Sequence, residues 1–115
     1  MLETERRQYP RVNLVTRVTH ILSDTFHYYY SRDLSLGGIF LETKKPYAVG
    51  SRLILDFTLP GMEGRLRTEG DVVRVVKPDL EALDQTSGMG ISFTKISEES
   101  LTKLKNYLME NAGCR

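Results

Sequence analysis

The sequence predicts a small, mainly β domain: an antiparallel barrel closed by one C-terminal helix. Three observations carry this prediction. Short segments of alternating apolar and polar residues fill most of the first 94 positions, and glycine- or proline-bearing turns separate them. One stretch near the end changes to helical periodicity. The chain has 115 residues, enough for a single domain with one modest core.

Taken in order, Met1–Arg6 is polar and reads as a flexible or weakly helical arm until something orders it. Val12 to Leu22 alternates, with Val12, Leu14, Val18 and Leu22 marking one face and Arg17 and Thr19 the other. Ser23-Asp24 makes a short turn, and Thr25 to Arg32 returns as the second strand of a hairpin. Tyr28, Tyr29 and Tyr30 are strand-forming residues, so Tyr29 faces one side while Tyr28 and Tyr30 share the other. His20 and His27 flank the turn as surface or half-buried strand residues, with no acid or nucleophile paired to them.

After a glycine turn, Ile39-Phe40-Leu41 begins a third strand that ends before Pro46. Lys44 to Gly50 forms a polar connection. Arg52 to Leu59 alternates again, with Leu53, Leu55, Phe57 and Leu59 on one face. Pro60-Gly61 and Gly64 turn the chain into a return strand from Arg65 to Val76. Arg74 interrupts the apolar run Val72 to Val76, which places it on a solvent-facing side. Pro78 to Ser87 is an acidic surface loop, and Gly88 to Phe93 is the last strand.

Ser97 then caps a helix over 97–112 with Glu98 and Glu99 in its first turn, favourable beside the positive end of the dipole. Leu101, Leu104 and Leu108 share a face with Tyr107 beside them, and Gly113 is a plausible stop. The stripe fits core packing, and a helix docking a second copy would carry the same pattern. The expected organisation is one domain over 1–115: an arginine-bearing arm over 1–11, a barrel over 12–94 and the helix.

Composition narrows the function. Hydrophobic content of 40% and charged content of 27% are those of an ordinary globular protein. A net charge of +1 argues against gripping long nucleic acid by bulk electrostatics. The single cysteine, Cys114, rules out an intrachain disulfide, and with two histidines it offers no zinc-ligand set. No apolar run approaches the roughly 20 residues of a membrane span, and nothing resembles a signal peptide. The expected location is the cytoplasm. No nucleophile–base pair, metal motif or phosphate loop points to an enzyme, so no catalytic residue is expected.

Chemistry gathers instead between Arg7 and Gly38. Arg7 and Arg11 are four apart at the edge of the first strand, and Pro10 holds the chain between them away from helical geometry. In an extended arm their Cα atoms lie roughly 13 Å apart at about 3.3 Å per residue. Each guanidinium is a planar fork that fits phosphate or the O6/N7 edge of guanine. Asp33, Ser35, Gly37 and Gly38 follow in an Asp-x-Ser-x-x-Gly turn. A carboxylate accepts from the N1–H and N2–H of guanine, a serine hydroxyl donates to phosphate, and paired glycines permit positive φ or a close backbone approach. Alone, the arginine pair is a solvated surface feature and the second motif is only a turn. Their order, separation and β context together describe a site for a guanine nucleotide with exposed phosphodiesters.

Arg-x-x-x-Arg followed by Asp-x-Ser-x-x-Gly resembles the signature of the PilZ domain, the bacterial receptor module for cyclic di-GMP. The likeness runs from Glu5 to Leu108 and takes in the Gly88–Phe93 strand and the closing helix. It implies a six-stranded antiparallel split barrel with a C-terminal α-helix. It also implies that Arg7, Arg11, Asp33, Ser35 and Gly38 bind cyclic di-GMP, with Arg6, Gly37 and Arg74 as further candidate contacts. Arg74 enters because such domains place a residue of this strand near the ligand, where a guanidinium could lie flat on a purine.

The expected function is therefore a non-enzymatic cyclic di-GMP sensor with no cofactor and no metal. It would change conformation on binding and signal through a separate protein or a second copy of itself. Motility, pilus function and exopolysaccharide control are the outputs that the resemblance suggests. The alternative is a PilZ-like protein-interaction module that binds no nucleotide. A third reading, a barrel binding single-stranded RNA or DNA through Arg6, Arg7, Arg11 and the tyrosines, is disfavoured by the near-neutral charge.

Overall fold

The computed structural model describes residues 11–13, 16–22, 25–78 and 86–112. The 1–10 arm with Arg6 and Arg7, the Ser23-Asp24 turn, most of the 78–87 loop, Gly113 and Cys114 lie outside the described residues. Among the described residues, seven strands and one helix follow in order: β1 (Arg11–Asn13), β2 (Arg17–Leu22), β3 (Thr25–Ser35), β4 (Gly38–Glu42), β5 (Arg52–Phe57), β6 (Leu66–Val76), β7 (Gly88–Ile96) and α1 (Glu98–Ala112). All strand pairings are antiparallel.

Strands β3, β2, β5, β6, β7 and β4 are hydrogen-bonded in that order, and pairing of β4 back onto β3 closes six of them into a barrel. Closure leaves the six without a long free edge. Strand β1 lies beside β2 along the same edge of β3. The predicted first strand is thus two pieces, because the register against β3 changes between them: Asn13 pairs with Asp33, whereas Arg17 pairs with Tyr30.

Strand alternation builds the core. Val18, Leu34, Leu41, Leu53, Leu55 and Phe57 all point inward and are buried. One layer runs across four strands as Leu34, Ile39, Ile91 and Val72, each opposite the next in register. The helix closes one end. Ser97 Oγ accepts the Ser100 N–H at 3.1 Å, which caps the first turn. Leu104, Tyr107 and Leu108 are buried, and Leu101 is only half-buried. α1 rests on β1 and β6, so the helix lies next to the strand that carries Arg11.

One expectation changes in β2. His20 is fully buried, at 2% exposure, and not on the surface or half-buried. Its Nδ1–H donates to the Ile54 carbonyl at 3.2 Å, and its ring makes a T-shaped contact with Tyr47, 5.6 Å between ring centres. Burial, aided by nearby His27, holds the imidazole below its ordinary pKa, against the raising effect of the Ile54 bond. Tyr29 packs half-buried against the core beside Tyr47, and its phenol is pushed up by burial first and then by its hydrogen bond with Tyr47. Tyr28 and Tyr30 face outward, as alternation requires.

Candidate functional site

Strand β3 continues through Ser35, so Asp33 and Ser35 are strand residues and not part of a turn. Only Leu36 and Gly37 form the bend into β4. Positive φ is not used at Gly37 or Gly38; it occurs at the turn glycines Gly50 (98°), Gly61 (79°) and Gly64 (88°). The extended geometry matters because it lets register decide which groups meet. Arg11 is opposite Ser35 across β1 and β3, and Asn13 is opposite Asp33. Opposed Cα atoms in antiparallel strands lie about 4.5–5.5 Å apart. Strand pairing thus brings the second arginine position and the serine together, although 24 positions separate them in sequence. Arg11 belongs to the sheet and not to the preceding arm.

The Ser35 hydroxyl is fixed locally. Its Oγ accepts the Gly37 N–H at 3.3 Å, and the Gly37 carbonyl accepts the Phe93 N–H at 2.9 Å. With Oγ used as an acceptor, the serine proton stays available for donation to an anionic oxygen. A side chain at Gly37 would meet nothing within 4 Å, so the surface above the bend is open. Gly38 is different. A Cβ there would collide with the Ile91 carbonyl oxygen of β7. Its lack of a side chain serves the close pairing of β4 with β7.

A β-bulge positions Asp33. Ser31 pairs with Leu41 and Asp33 with Phe40, so Arg32 is an extra residue in β3. Ser31 and Leu34 are buried, while Arg32 and Asp33 between them both avoid the core. Without the extra residue, Asp33 would follow Ser31 inward. A second bulge does the same for Arg74: Val72 pairs with Ile91 and Arg74 with Gly90, which leaves Val73 extra in β6. Arg74 is exposed, and its guanidinium carbon lies 5.5 Å from the centre of the Phe40 ring.

These residues form one outward row. Asp33 is opposite Phe40, Phe40 is opposite Gly90, and Gly90 is opposite Arg74. At about 4.8 Å per strand, the row spans roughly 14 Å from aspartate to arginine. Gly90 is the seat of the stack: the nearest atoms to a Cβ there belong to Arg74, at 3.6 Å and 3.8 Å. A larger side chain would displace the guanidinium from Phe40. Phe40 and Gly90 were absent from the sequence-derived site. Alternation held the signal for Phe40, since Ile39 and Leu41 on either side face the core and leave a phenylalanine pointing out.

The row can hold a flat ligand against an aromatic–guanidinium surface, with an acceptor at one end and hydroxyl and backbone groups beside it. Among the described residues, no group of three or more His, Cys, Asp and Glu gathers to hold a metal. Among them too, no helix is long and apolar enough to cross a membrane.

The model of the PilZ domain family matches residues 5–110, nearly the whole chain. The chain belongs to the PilZ family. Solved PilZ structures agree with the barrel. The inhibitor of motility MotI/DgrA of Bacillus subtilis superposes with a TM-score of 0.76 at 25% identity over 91% of this chain. The PilZ domain of Escherichia coli YcgR with c-di-GMP gives a TM-score of 0.66 at 21% identity, covering 92% of this chain and 91% of that one. YcgR of E. coli in complex with c-di-GMP gives 0.71 at 18% identity over 91% of this chain. The PilZ chain spans 50% of the MotI/DgrA chain and 45% of the longer YcgR chain. No curated protein sequence matches it.

Proposed function

We propose that this PilZ domain is a non-enzymatic receptor for cyclic di-GMP. The observation that carries the reading is the register of β1 on β3, which sets Arg11 opposite Ser35 and Asn13 opposite Asp33. The two halves of the motif thereby become one surface. Arg7, in the segment before β1, and Arg11 clamp guanine edges and phosphates. Asp33 accepts from a guanine Watson–Crick edge. Ser35 donates to a phosphate oxygen, and Gly37 leaves room for its approach. Arg6 adds positive charge beside the pair. Arg74, laid over Phe40, supplies a flat cationic surface for a purine at the far end of the row. Gly38 supports the site indirectly, by allowing β4 to pair with β7.

The c-di-GMP complexes of YcgR support this ligand class for a related barrel. Binding draws the arginine-bearing segment onto the barrel, a conformational change rather than a chemical step. Because α1 rests on β1, the helix is placed to respond to that change. The signal then passes to a separate protein or to a second copy, in the cytoplasm, with motility control the output closest to the solved relatives.

Calorimetric titration of the purified protein with cyclic di-GMP, with GTP and cyclic di-AMP as controls, tests this directly. Micromolar or tighter binding, selective for cyclic di-GMP and lost in Arg11→Ala, is the expected result. Absence of heat and of competition at high ligand concentration would replace it with a protein-interaction module that binds no nucleotide.

A further inference from the structure

The outer face of β2 and the first half of β3 carries a second chemical surface. Tyr28 and Tyr30 project from it at 57% and 56% exposure. Arg17 is opposite Tyr30 in register, and its guanidinium carbon lies 4.8 Å from the centre of the Tyr28 ring. Across β2, Thr19 links Tyr28 to Asp56 of β5, which in turn is opposite Arg67 of β6. On the other side Tyr30 is opposite Glu42, which pairs with Arg32 at 3.1 Å.

The charges on this face do not balance. Asp56 alone serves both Arg65 and Arg67, and Glu42 serves Arg32. Among the described residues Arg17 has no carboxylate partner. Among the described residues, four guanidinium groups thus share two carboxylates here, on a chain whose net charge is only +1. The cation–π contact with Tyr28 already restrains the Arg17 side chain, so less side-chain freedom remains to be lost when a carboxylate docks on it. Two exposed tyrosines add large, stiff, amphipathic contacts with hydroxyl donors. Tyrosine and arginine are the residues that carry binding energy in protein interfaces.

We propose that this face docks a protein segment rich in aspartate and glutamate. Arg17 forms the central bidentate contact, Tyr28 and Tyr30 flank it, and the excess charge of Arg65 and Arg67 receives further carboxylates. A long polyanion such as nucleic acid fits less well, because Glu69 and Asp71 lie further along β6, gathered around Arg52. The surface abuts the nucleotide site without sharing its residues: Arg32 belongs to this face, and Asp33, the next residue, opens the row that leads to Arg74.

Fluorescence anisotropy with a short labelled peptide of alternating glutamate and leucine tests the proposal on the full chain. A matched glutamine peptide and an oligothymidine of equal length serve as comparisons. The acidic peptide is expected to bind saturably and the glutamine peptide not at all. Arg17→Glu, and separately the pair Tyr28→Ala with Tyr30→Ala, should each weaken binding at least about tenfold. Lys105→Glu on the exposed side of α1 makes the same charge change and should leave binding within about twofold. Cyclic di-GMP titration of the same variants should match wild type, which separates this surface from the nucleotide site. Lack of saturation, equal affinity in the Arg17 and tyrosine variants, equal loss in Lys105→Glu, or tighter binding of oligothymidine would each overturn the proposal. Should Arg17→Glu unfold, Arg17→Gln carries the same test.

Discussion

At Gly38 the demand comes from the fold, and the site depends on it only indirectly. A Cβ there meets the Ile91 carbonyl of the neighbouring strand. Gly38→Ala must therefore spread β4 from β7, and overpacking of this kind typically destabilises by about 1–3 kcal/mol. Urea unfolding should show that loss with no ligand present. Asp33 behaves in the opposite way. It is half-buried on the outer face, so Asp33→Ala should leave unfolding nearly unchanged. Loss of one partner of a charge-assisted contact typically costs about 2–5 kcal/mol in interfaces, and Asp33→Ala or Arg7→Ala should weaken cyclic di-GMP binding at least about thirtyfold at about 1.4 kcal/mol per tenfold. Nearly unchanged affinity in either variant would remove that residue from the site. These residue types were legible in the sequence because short-range motif spacing survives any fold. Phe40 and Gly90 were not, since their value comes from being opposite Asp33 and Arg74 on other strands.

Single elements carry the next level of control. Both outward site positions flanking the Phe40 stack depend on an extra residue in their strand, Arg32 in β3 and Val73 in β6. Period-2 reading assigns faces by counting, and one inserted residue reverses the count. That is why alternation from Val72 gives no guide to Arg74. Gly90→Leu should push the guanidinium off Phe40 and weaken nucleotide binding severalfold, as Arg74→Ala should by removing a cation–π contact. Agreement between the two variants in a titration would tie their effects to one stack. The helix is an element of another kind, and its burden is stability. Leu104 is fully buried where α1 closes the barrel, so Leu104→Ala should cost about 2–5 kcal/mol of unfolding free energy. Its capping serine and apolar stripe were readable in advance because both are local, with a 3.6-residue period.

At the scale of the whole molecule, stability depends on pH through what the barrel encloses. His20 is buried, with its folded pKa held below the ordinary 6.5. Above that value the imidazole is neutral in both states and contributes no pH dependence. As pH falls below it, the unfolded chain takes up the proton first, so stability declines until the folded pKa is passed. Urea unfolding between neutral and mildly acidic pH should show this decline, and His20→Gln should flatten it. A ligand bound only by the folded barrel adds stability by mass action, about 2.7 kcal/mol at 100 times its Kd. Thermal unfolding with cyclic di-GMP should rise accordingly, and at the same ligand concentration Asp33→Ala should gain roughly a third of that stabilisation or less.

By itself, the sequence determined the mainly β class, the closing helix, the family and the residue types that can meet a guanine nucleotide. Each rests on local patterns: alternation, capping, and motif spacing within one stretch of chain. Tertiary structure decided where those residues stand. It split the first strand at a register change, kept Asp33 and Ser35 in β3, buried His20, and set Phe40, Gly90 and Arg74 in line with Asp33. The physical reason is that strand pairing joins residues far apart in the chain. The bulges that fix their faces arise from the pairing of whole strands, which no local pattern records.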